Sequence, residues 1–275
     1  VIDLHLHTTA SDGQLSPEAL IERVAHAGCR VVAVTDHDTV AGIEPAAAAA
    51  GIADLTFISG IEMTAVAEGV DVHILGYFID IRDPALAAFL VAQRERRRQR
   101  VRDMGERLAE LGAAIDIAQV LALSAESGRS VGRPAVAQAL VTAGHAATVP
   151  DAFDRFLAEG RPAYLPRTGP GPEDVIERIR QAGGVASLAH PGKLRRDHLI
   201  PPMVAAGLEA LEVYHSDHTV IDVVRYQTMA DRLGVLVTGG SDYHGPDNSR
   251  AGYLGQVGLP PSAFDRLLAL TGRLR

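Results

Sequence analysis

Imidazoles and carboxylates recur in this chain at the places where short apolar runs end. His5-Leu6-His7 follows Val1–Leu4, and Thr35-Asp36-His37 closes the run that begins at Val31. Gly60-Ile61-Glu62 ends a third run, and Asp71-Val72-His73 lies on the next one. Ala189-His190-Pro191-Gly192 and Ser241-Asp242-Tyr243-His244 follow two more. One such placement carries little weight, because a lone histidine is more often a satisfied core or surface residue. Six in one chain point to a common destination. Period two puts His5 and His7 on the same side of an extended segment, where both can face one ion. Nitrogen and oxygen donors without sulfur select Mn, Fe or Zn over copper or an iron–sulfur centre, and so many imidazoles make an all-Mg site less natural. Bound divalent ions lower the pKa of water and stabilise negative charge on oxygen, so the chemistry indicated is metal-assisted hydrolysis.

The elements that position these residues alternate. Val1–Leu4 reads as a strand, and Ser16-Pro17-Glu18 opens a helix that ends at Gly28. Strands at Val31–Thr35 and Leu55–Ile61 flank a helix at Ile43–Ala50, and Ala65–Gly69 with Val72–Tyr77 reads as a hairpin-like pair. From Pro84 to Arg167 the pattern is helical throughout: Pro84–Leu111, Ala118–Leu123, Pro134–Thr142 and Ala152–Glu159. Alternation then resumes with helices Pro172–Ala182, His198–Ala206 and Val220–Leu233 between strands Val185–Leu188, Ala210–Val213 and Val235–Thr238. A last helix follows Pro261-Ser262. The simplest architecture is a (β/α) barrel formed by residues 1–83 and 168–275, with an all-helical insertion over 84–167. In such barrels the chemistry sits at the C-terminal ends of the strands.

Other residues have plainer readings. His26 sits near a helix C-terminus, where a cation favours the dipole, and His145 and His198 lie in a loop and at a helix start. Asp36 and Asp38 read as residues that orient His37 or cap the next helix. The run Arg94-Glu95-Arg96-Arg97-Arg98-Gln99-Arg100 resembles a solvated helix face, yet heptad spacing puts Arg94 and Arg97 on the stripe of Leu90, Val101, Met104, Leu108 and Leu111. Charges on such a stripe need a counter-charge, so Arg97, flanked by Arg100, is a second reading: a grip on a substrate phosphate. Ser130 and Arg133, just ahead of or at Pro134, form either a capped turn or an anion-binding helix start. Lys193, directly after His190-Pro191-Gly192, is a further phosphate contact. His215, after strand Ala210–Val213, is placed to protonate a leaving alkoxide.

Composition narrows the class. With 26 basic and 34 acidic residues the net charge is −8, which disfavours non-specific binding of long nucleic acid. Three bound divalent cations would cancel most of that excess, so a small phosphorylated substrate is not repelled. Cys29 is the one cysteine and reads as a small buried hydrophobe, consistent with a reducing cytoplasm. No run of eighteen apolar residues exists, and Val1-Ile2-Asp3-Leu4-His5 reads as a strand and not as a secretory signal. No membrane and no obligate protein partner is indicated.

In their order along the chain, His5-Leu6-His7, Thr35-Asp36-His37, Glu62, His73, Ala189-His190-Pro191-Gly192 and Ser241-Asp242-Tyr243-His244 resemble the PHP (polymerase and histidinol phosphatase) family. The resemblance implies a distorted seven-stranded (β/α) barrel and three divalent ions, with Mn first and Fe or Zn as alternatives. One ion would take His5, His7, Glu62 and Asp242. A second would share Glu62 and take His73 and His190, and a third would take Asp12, His37 and His244, with Asp12 also facing substrate. The helical insertion with its arginines is similar to the subgroup that contains nucleoside 3′,5′-bisphosphate phosphatases and 5′–3′ exonucleases on short RNA or DNA. That implies removal of a 3′-phosphate while arginines read the 5′-phosphate. Histidinol phosphatase and a non-catalytic PHP module are the remaining readings.

Overall fold

The computed structural model describes residues 1–126, 131–166 and 168–272. It contains seven strands: β1 Ile2–Leu6, β2 Val31–Val34, β3 Thr56–Ala67, β4 Val70–Tyr77, β5 Val185–Leu188, β6 Ala210–His215 and β7 Leu236–Gly240. The helices are α1 Pro17–His26, α2 Ile43–Ile52, α3 Pro84–Glu110, α4 Ile117–Glu126, α5 Arg133–Thr142 and α6 Val149–Ala152. They continue with α7 Pro172–Gln181, α8 Pro191–Leu194, α9 Ile200–Ala205, α10 Val220–Leu233 and α11 Pro261–Thr271. Two compact units result: Val1–Ala88 with Pro170–Arg275, and Phe89–Gly169.

Local chemistry sets the boundaries. Ser16 accepts a hydrogen bond from the Ala19 N–H and Pro17 sits in the first turn of α1, while Thr219 and Asp222 cap α10 reciprocally. Gly234, at φ 70°, ends α10 in the left-handed conformation.

The strands lie in the order β1-β2-β3-β4-β5-β6-β7. All neighbours are parallel except that β4 is antiparallel to both β3 and β5. Leu6 bridges Tyr243, whose carbonyl accepts the His7 N–H at 3.0 Å, so the sheet curls until its two edges meet. Closure makes this a distorted (β/α)7 barrel, and β4 is the distortion. The spans expected at 55–61 and 65–69 are one twelve-residue strand, β3, because its pairing with β4 runs unbroken from Gly60 to Ala67. β2 is a continuous apolar run and β5 is buried along its whole length, its one hydroxyl, Ser187, bonded to that of Thr238, and Leu20, Ile21, Val24, Val32 and Ala46 pack outside the barrel.

Among its described residues the second unit has helices and connecting turns but no strand, and it has a core of its own: Val101, Met104, Leu108, Val136, Leu140 and Leu157. The helix expected at Ala152–Glu159 is a short α6 continued by a wider π turn, Phe153–Leu157. On α3 the half-buried positions include Arg97 and Arg100, whereas Arg94 is exposed, so the heptad reading put one arginine too many on the stripe. Among the described residues no helix is long and apolar enough to cross a membrane.

Gly240 marks the seam where β7 meets β1. A Cβ there would collide with the backbone nitrogen and Cβ of His5, whereas one at Gly51 on α2 would meet nothing. Gly240→Ala is therefore expected to cost about 1–3 kcal/mol by overpacking, while Gly51→Ala is neutral or stabilising by about 0.5–1 kcal/mol. Urea melts of the two variants test this, and a wild-type midpoint for Gly240→Ala would contradict the tight seam.

Candidate metal centre

Each strand end delivers its residue for a local reason. His5 lies within β1 and His7 just beyond it, both fully buried. Asp12 comes from the loop that follows, and that loop is fastened by Asp36. The Asp36 carboxylate accepts the Thr8 N–H (2.7 Å), the Thr8 hydroxyl (2.7 Å) and the Ser11 hydroxyl (2.6 Å). Asp36 thus braces the Asp12 loop and not His37, and Asp38 accepts the Thr64 N–H at 2.9 Å and does not cap α2. His37 pairs with Glu62 through a parallel bridge, which sets the two side by side. His73 stands near the start of β4, but because β4 runs backwards its start lies beside the end of β3. There Thr64 pairs with His73 and Glu62 with Leu75, so Glu62 and His73 share one face. His190 and Asp242 adopt left-handed backbone conformations, φ 29° and 53°, each separated by one residue from the end of its strand, β5 and β7 respectively. Non-glycine residues pay strain there, which persists only where surrounding contacts over-determine it.

Glu62 is the meeting point. Its Oε2 lies 3.3 Å from His5 Nε2, 3.3 Å from His7 Nε2 and 3.1 Å from His37 Nδ1. Its Oε1 lies 2.8 Å from His73 Nδ1 and 3.0 Å from His190 Nε2. Asp242 Oδ1 is 3.5 Å from His5 Nε2, 3.2 Å from His7 Nε2 and 3.4 Å from His244 Nδ1. Asp12 is 3.3 Å from His244 Nε2 and 3.7 Å from His37 Nε2. All nine residues that the sequence nominates as ligands converge.

The donor set fits divalent cations. His7, Asp12, His37 and His244 form one group with ligand atoms within 4.8 Å of one another, and His5, His7 and Glu62 form a second. His5, His190 and Asp242 form a third, and His37, Glu62 and His73 a fourth. Neither ring nitrogen of the buried His7 makes a hydrogen bond. Burial, reinforced by nearby His244, pushes the His7 pKa down to about 3, and burial takes His190 down to about 4. Both are therefore neutral imidazoles, the ligating form. Burial works to raise Glu62, yet His37, His73 and His5 outweigh it and hold the carboxyl well below its usual range. Asp242 is likewise ionised against burial, chiefly by His5.

Sequence reasoning missed Glu212, although a charged residue inside the apolar run Ala210–Val213 was the available signal. Fully buried, Glu212 accepts from His5 Nδ1 at 2.9 Å and from the His190 N–H at 2.8 Å. It fixes the His5 ring so that Nε2 faces the cluster, and it holds the strained His190 backbone. Asp3 acts similarly at the seam, accepting the Ser241 N–H at 2.9 Å and the His5 N–H at 3.3 Å. Burial takes its pKa up to about 6. His215 Nδ1 accepts the Asp217 N–H at 3.0 Å, leaving Nε2 to face Asp242 Oδ2 at 3.3 Å.

The remaining nominated residues are placed as follows. Lys193, on α8, brings Nζ to 3.7 Å from both Asp242 Oδ2 and Asp217 Oδ2. Arg100 donates to the Leu165 carbonyl at 2.6 Å within the helical unit. The Arg133 guanidinium lies over Phe153 and Tyr164, 6.0 and 5.7 Å from their ring centres. Ser130 lies outside the described residues. His26, His145 and His198 stand away from the cluster, on the Glu22 carbonyl, the Ala114 carbonyl and Glu68 respectively. Cys29 is buried, which takes its thiol up to about 12.

Comparison with known proteins decides the family. The PHP domain model matches residues 3–125. The 5′-3′ exoribonuclease Rnm of Escherichia coli is 37% identical over 90% of this chain and 86% of its own length. The chain belongs to the PHP family. The 3′,5′-nucleoside bisphosphate phosphatase of Chromobacterium violaceum is 34% identical over 94% of this chain and 93% of its own. The phosphoribosyl 1,2-cyclic phosphate 1,2-diphosphodiesterase of Eggerthella lenta is 33% identical over 88% of this chain and 94% of its own. A Bifidobacterium adolescentis structure described as a metal-dependent phosphoesterase superposes with a TM-score of 0.81 at 35% identity, covering 97% of this chain and 95% of that one. This PHP protein is accordingly a metal-dependent phosphoesterase, a hydrolase acting on phosphate esters.

Two outcomes follow for the cluster. Glu212→Gln puts an amide where His5 and His190 both need an acceptor, so metal affinity falls about 10–100-fold. Calorimetric titration of the metal-free protein measures it, and an unchanged affinity would refute the bracing role. Carboxylate neighbours outweigh burial to raise the pKa values of His5, His73 and His244. Their protons compete with metal, so uptake releases protons and the affinity weakens as the pH falls through these raised values. Titrations in buffers of different ionisation enthalpy read the released protons directly.

Proposed function

We propose that this PHP enzyme removes the 3′-phosphate of nucleoside 3′,5′-bisphosphates, giving the nucleoside 5′-monophosphate and orthophosphate. The observation that carries it is the set of overlapping donor groups, two of which share Glu62, together with near full-length similarity to a protein named for that activity. Three divalent ions are assigned, Mn first. His5, His7, Glu62 and Asp242 hold one, Glu62, His73 and His190 a second, and Asp12, His37 and His244 a third. When bound, the ions supply a water made nucleophilic at neutral pH and neutralise charge on the phosphoryl group.

The protein's own groups do the rest. Glu212, Asp3 and Asp36 fix the ligands before substrate arrives, so little reorganisation is left for the reaction. Lys193 attracts the phosphoryl oxygens. His215, with one nitrogen committed to the Asp217 amide, turns its other towards Asp242 and positions that carboxylate; the arrangement favours this role over proton donation to the leaving group. Arg97 is assigned to the phosphate that does not react, whereas Arg100 donates to the Leu165 carbonyl within the helical unit.

The rival reading is a 5′–3′ exonuclease on short 5′-phosphorylated RNA or DNA, favoured by the similarity to the E. coli exoribonuclease. Recognition of a 5′-phosphate serves either reaction.

Phosphate release with added Mn, on adenosine 3′,5′-bisphosphate, 3′-AMP and a 5′-phosphorylated pentanucleotide, separates these readings. The expected order of kcat/KM is bisphosphate first, and Arg97→Ala narrows its lead over 3′-AMP by about 10–100-fold, the worth of a charge-assisted contact. Equal kcat/KM on 3′-AMP and the bisphosphate would remove the basis of the proposal, and a preference for the pentanucleotide would establish the exonuclease.

A further inference from the structure

Arg250 lies in the loop after β7 and was not singled out by its sequence. Its guanidinium is directed at two carboxylates. Nε and Nη2 both donate to Asp217 Oδ2, at 3.1 and 2.7 Å, while Nη1 lies 3.4 Å from Asp242 Oδ2. Lys193 reaches the same two oxygens from α8, at 3.7 Å each. Asp242 therefore has two distinct sides. Oδ1 faces the imidazoles of His5, His7 and His244, and Oδ2 faces His215, Lys193 and Arg250.

The positive groups on the outer side are under-used. A charge-assisted N–H···O bond runs about 2.7–2.9 Å, shorter than the contacts that Nη1 and Nζ make. The Lys193 ammonium makes no hydrogen bond among the described residues, so its donors stay available to an incoming group. Asp217 is the one carboxylate that binds Arg250 at full strength, and it serves both cations. Once Asp242 gives its charge to the cluster, two cations face a single counter-charge. The surplus borders the ligand set directly, because Lys193 follows His190 by three residues and Arg250 touches Asp242.

We propose that Lys193 and Arg250 form a subsite for the oxygens of the phosphoryl group that reacts, with Asp217 as the resident counter-ion that keeps Arg250 extended and limits anion affinity. The ligand class is a phosphate monoester dianion before hydrolysis and orthophosphate after it. The forked guanidinium and the mobile ammonium suit two oxygens of one tetrahedral anion. Asp217 gives the subsite a weakened grip, which favours release of orthophosphate. The inference rests on the reading that the substrate is a phosphate ester, and not on which ester it is.

The test is calorimetric binding of inorganic phosphate to the Mn-loaded protein, alongside kinetics on adenosine 3′,5′-bisphosphate and elemental analysis for metal. Arg250→Ala weakens phosphate binding about 10–100-fold, the effect of one lost charge-assisted contact, at unchanged metal content. Arg250→Lys recovers part of the loss, since charge returns without the fork. Asp217→Asn has the opposite sign and tightens phosphate roughly 3–10-fold by removing a like charge. The proposal is overturned if Arg250→Ala binds phosphate within about twofold of wild type, or if Asp217→Asn weakens binding as Arg250→Ala does. Should Arg250→Ala fail to fold or to load metal, Arg250→Lys and Asp217→Asn decide by the same signs. The substrate reading is tested separately: wild-type preference for another phosphate ester overturns that reading while leaving the phosphate-binding outcomes intact.

Discussion

A carboxylate almost wholly out of water at Glu62, met by five imidazoles, is the constraint from which the rest of the barrel follows. Burying an ionised carboxylate costs several kcal/mol unless opposite charge and hydrogen bonds replace the lost water. His5 and His7 from β1, His37 after β2, His73 on β4 and His190 after β5 supply that replacement. No local segment can do so, because the partners are up to 128 residues from Glu62. The reversed β4 is the means by which a histidine near the start of a strand reaches a mouth otherwise built from strand ends.

Around this centre lies a ring of buried acids that touch the nominated ligands, or the loops carrying them, from behind. Glu212, Asp3 and Asp36 each bind a backbone N–H as well as fixing a ring, a strand seam or a loop. Buried carboxylates in strands are poor choices for stability alone, since apolar residues of similar volume pack without a desolvation penalty. Their effect here is orientation. They hold His190 in a strained backbone, and they tie the Ser241 amide beside Asp242, so that donor atoms already converge when ions and substrate arrive.

The cluster and its outer edge have different chemistry. Inside, imidazoles and ionised carboxylates suit divalent cations. Outside, Lys193 and Arg250 share Asp217, an arrangement suited to an anion that is to be held and then released. The helical unit carries its own core and uses Arg133 and Arg100 within it, on aromatic rings and a carbonyl. Arginines of this unit are thus used within its own packing, and charge count alone does not reveal that.

The sequence by itself determined the alternation of strands and helices and nominated the nine residues that converge, because strand ends and metal-donor side chains are both local signals. For most of them an apolar run stops and an imidazole or carboxylate follows closely; Asp12, in the loop after β1, and His73, inside β4, are the exceptions. It also determined the spans of β5 and α10, where turn chemistry and capping are strong. Tertiary structure alone decided the direction of β4, the continuity of β3 and the closure of β1 on β7, since each depends on pairing between distant segments. It likewise decided which charged residues brace and which face the opening. Glu212 and Asp3 look like any acid in a sequence, and Arg250 like any loop arginine. Their roles exist only through what the folded chain brings to within about 3 Å of them, the range of a hydrogen bond.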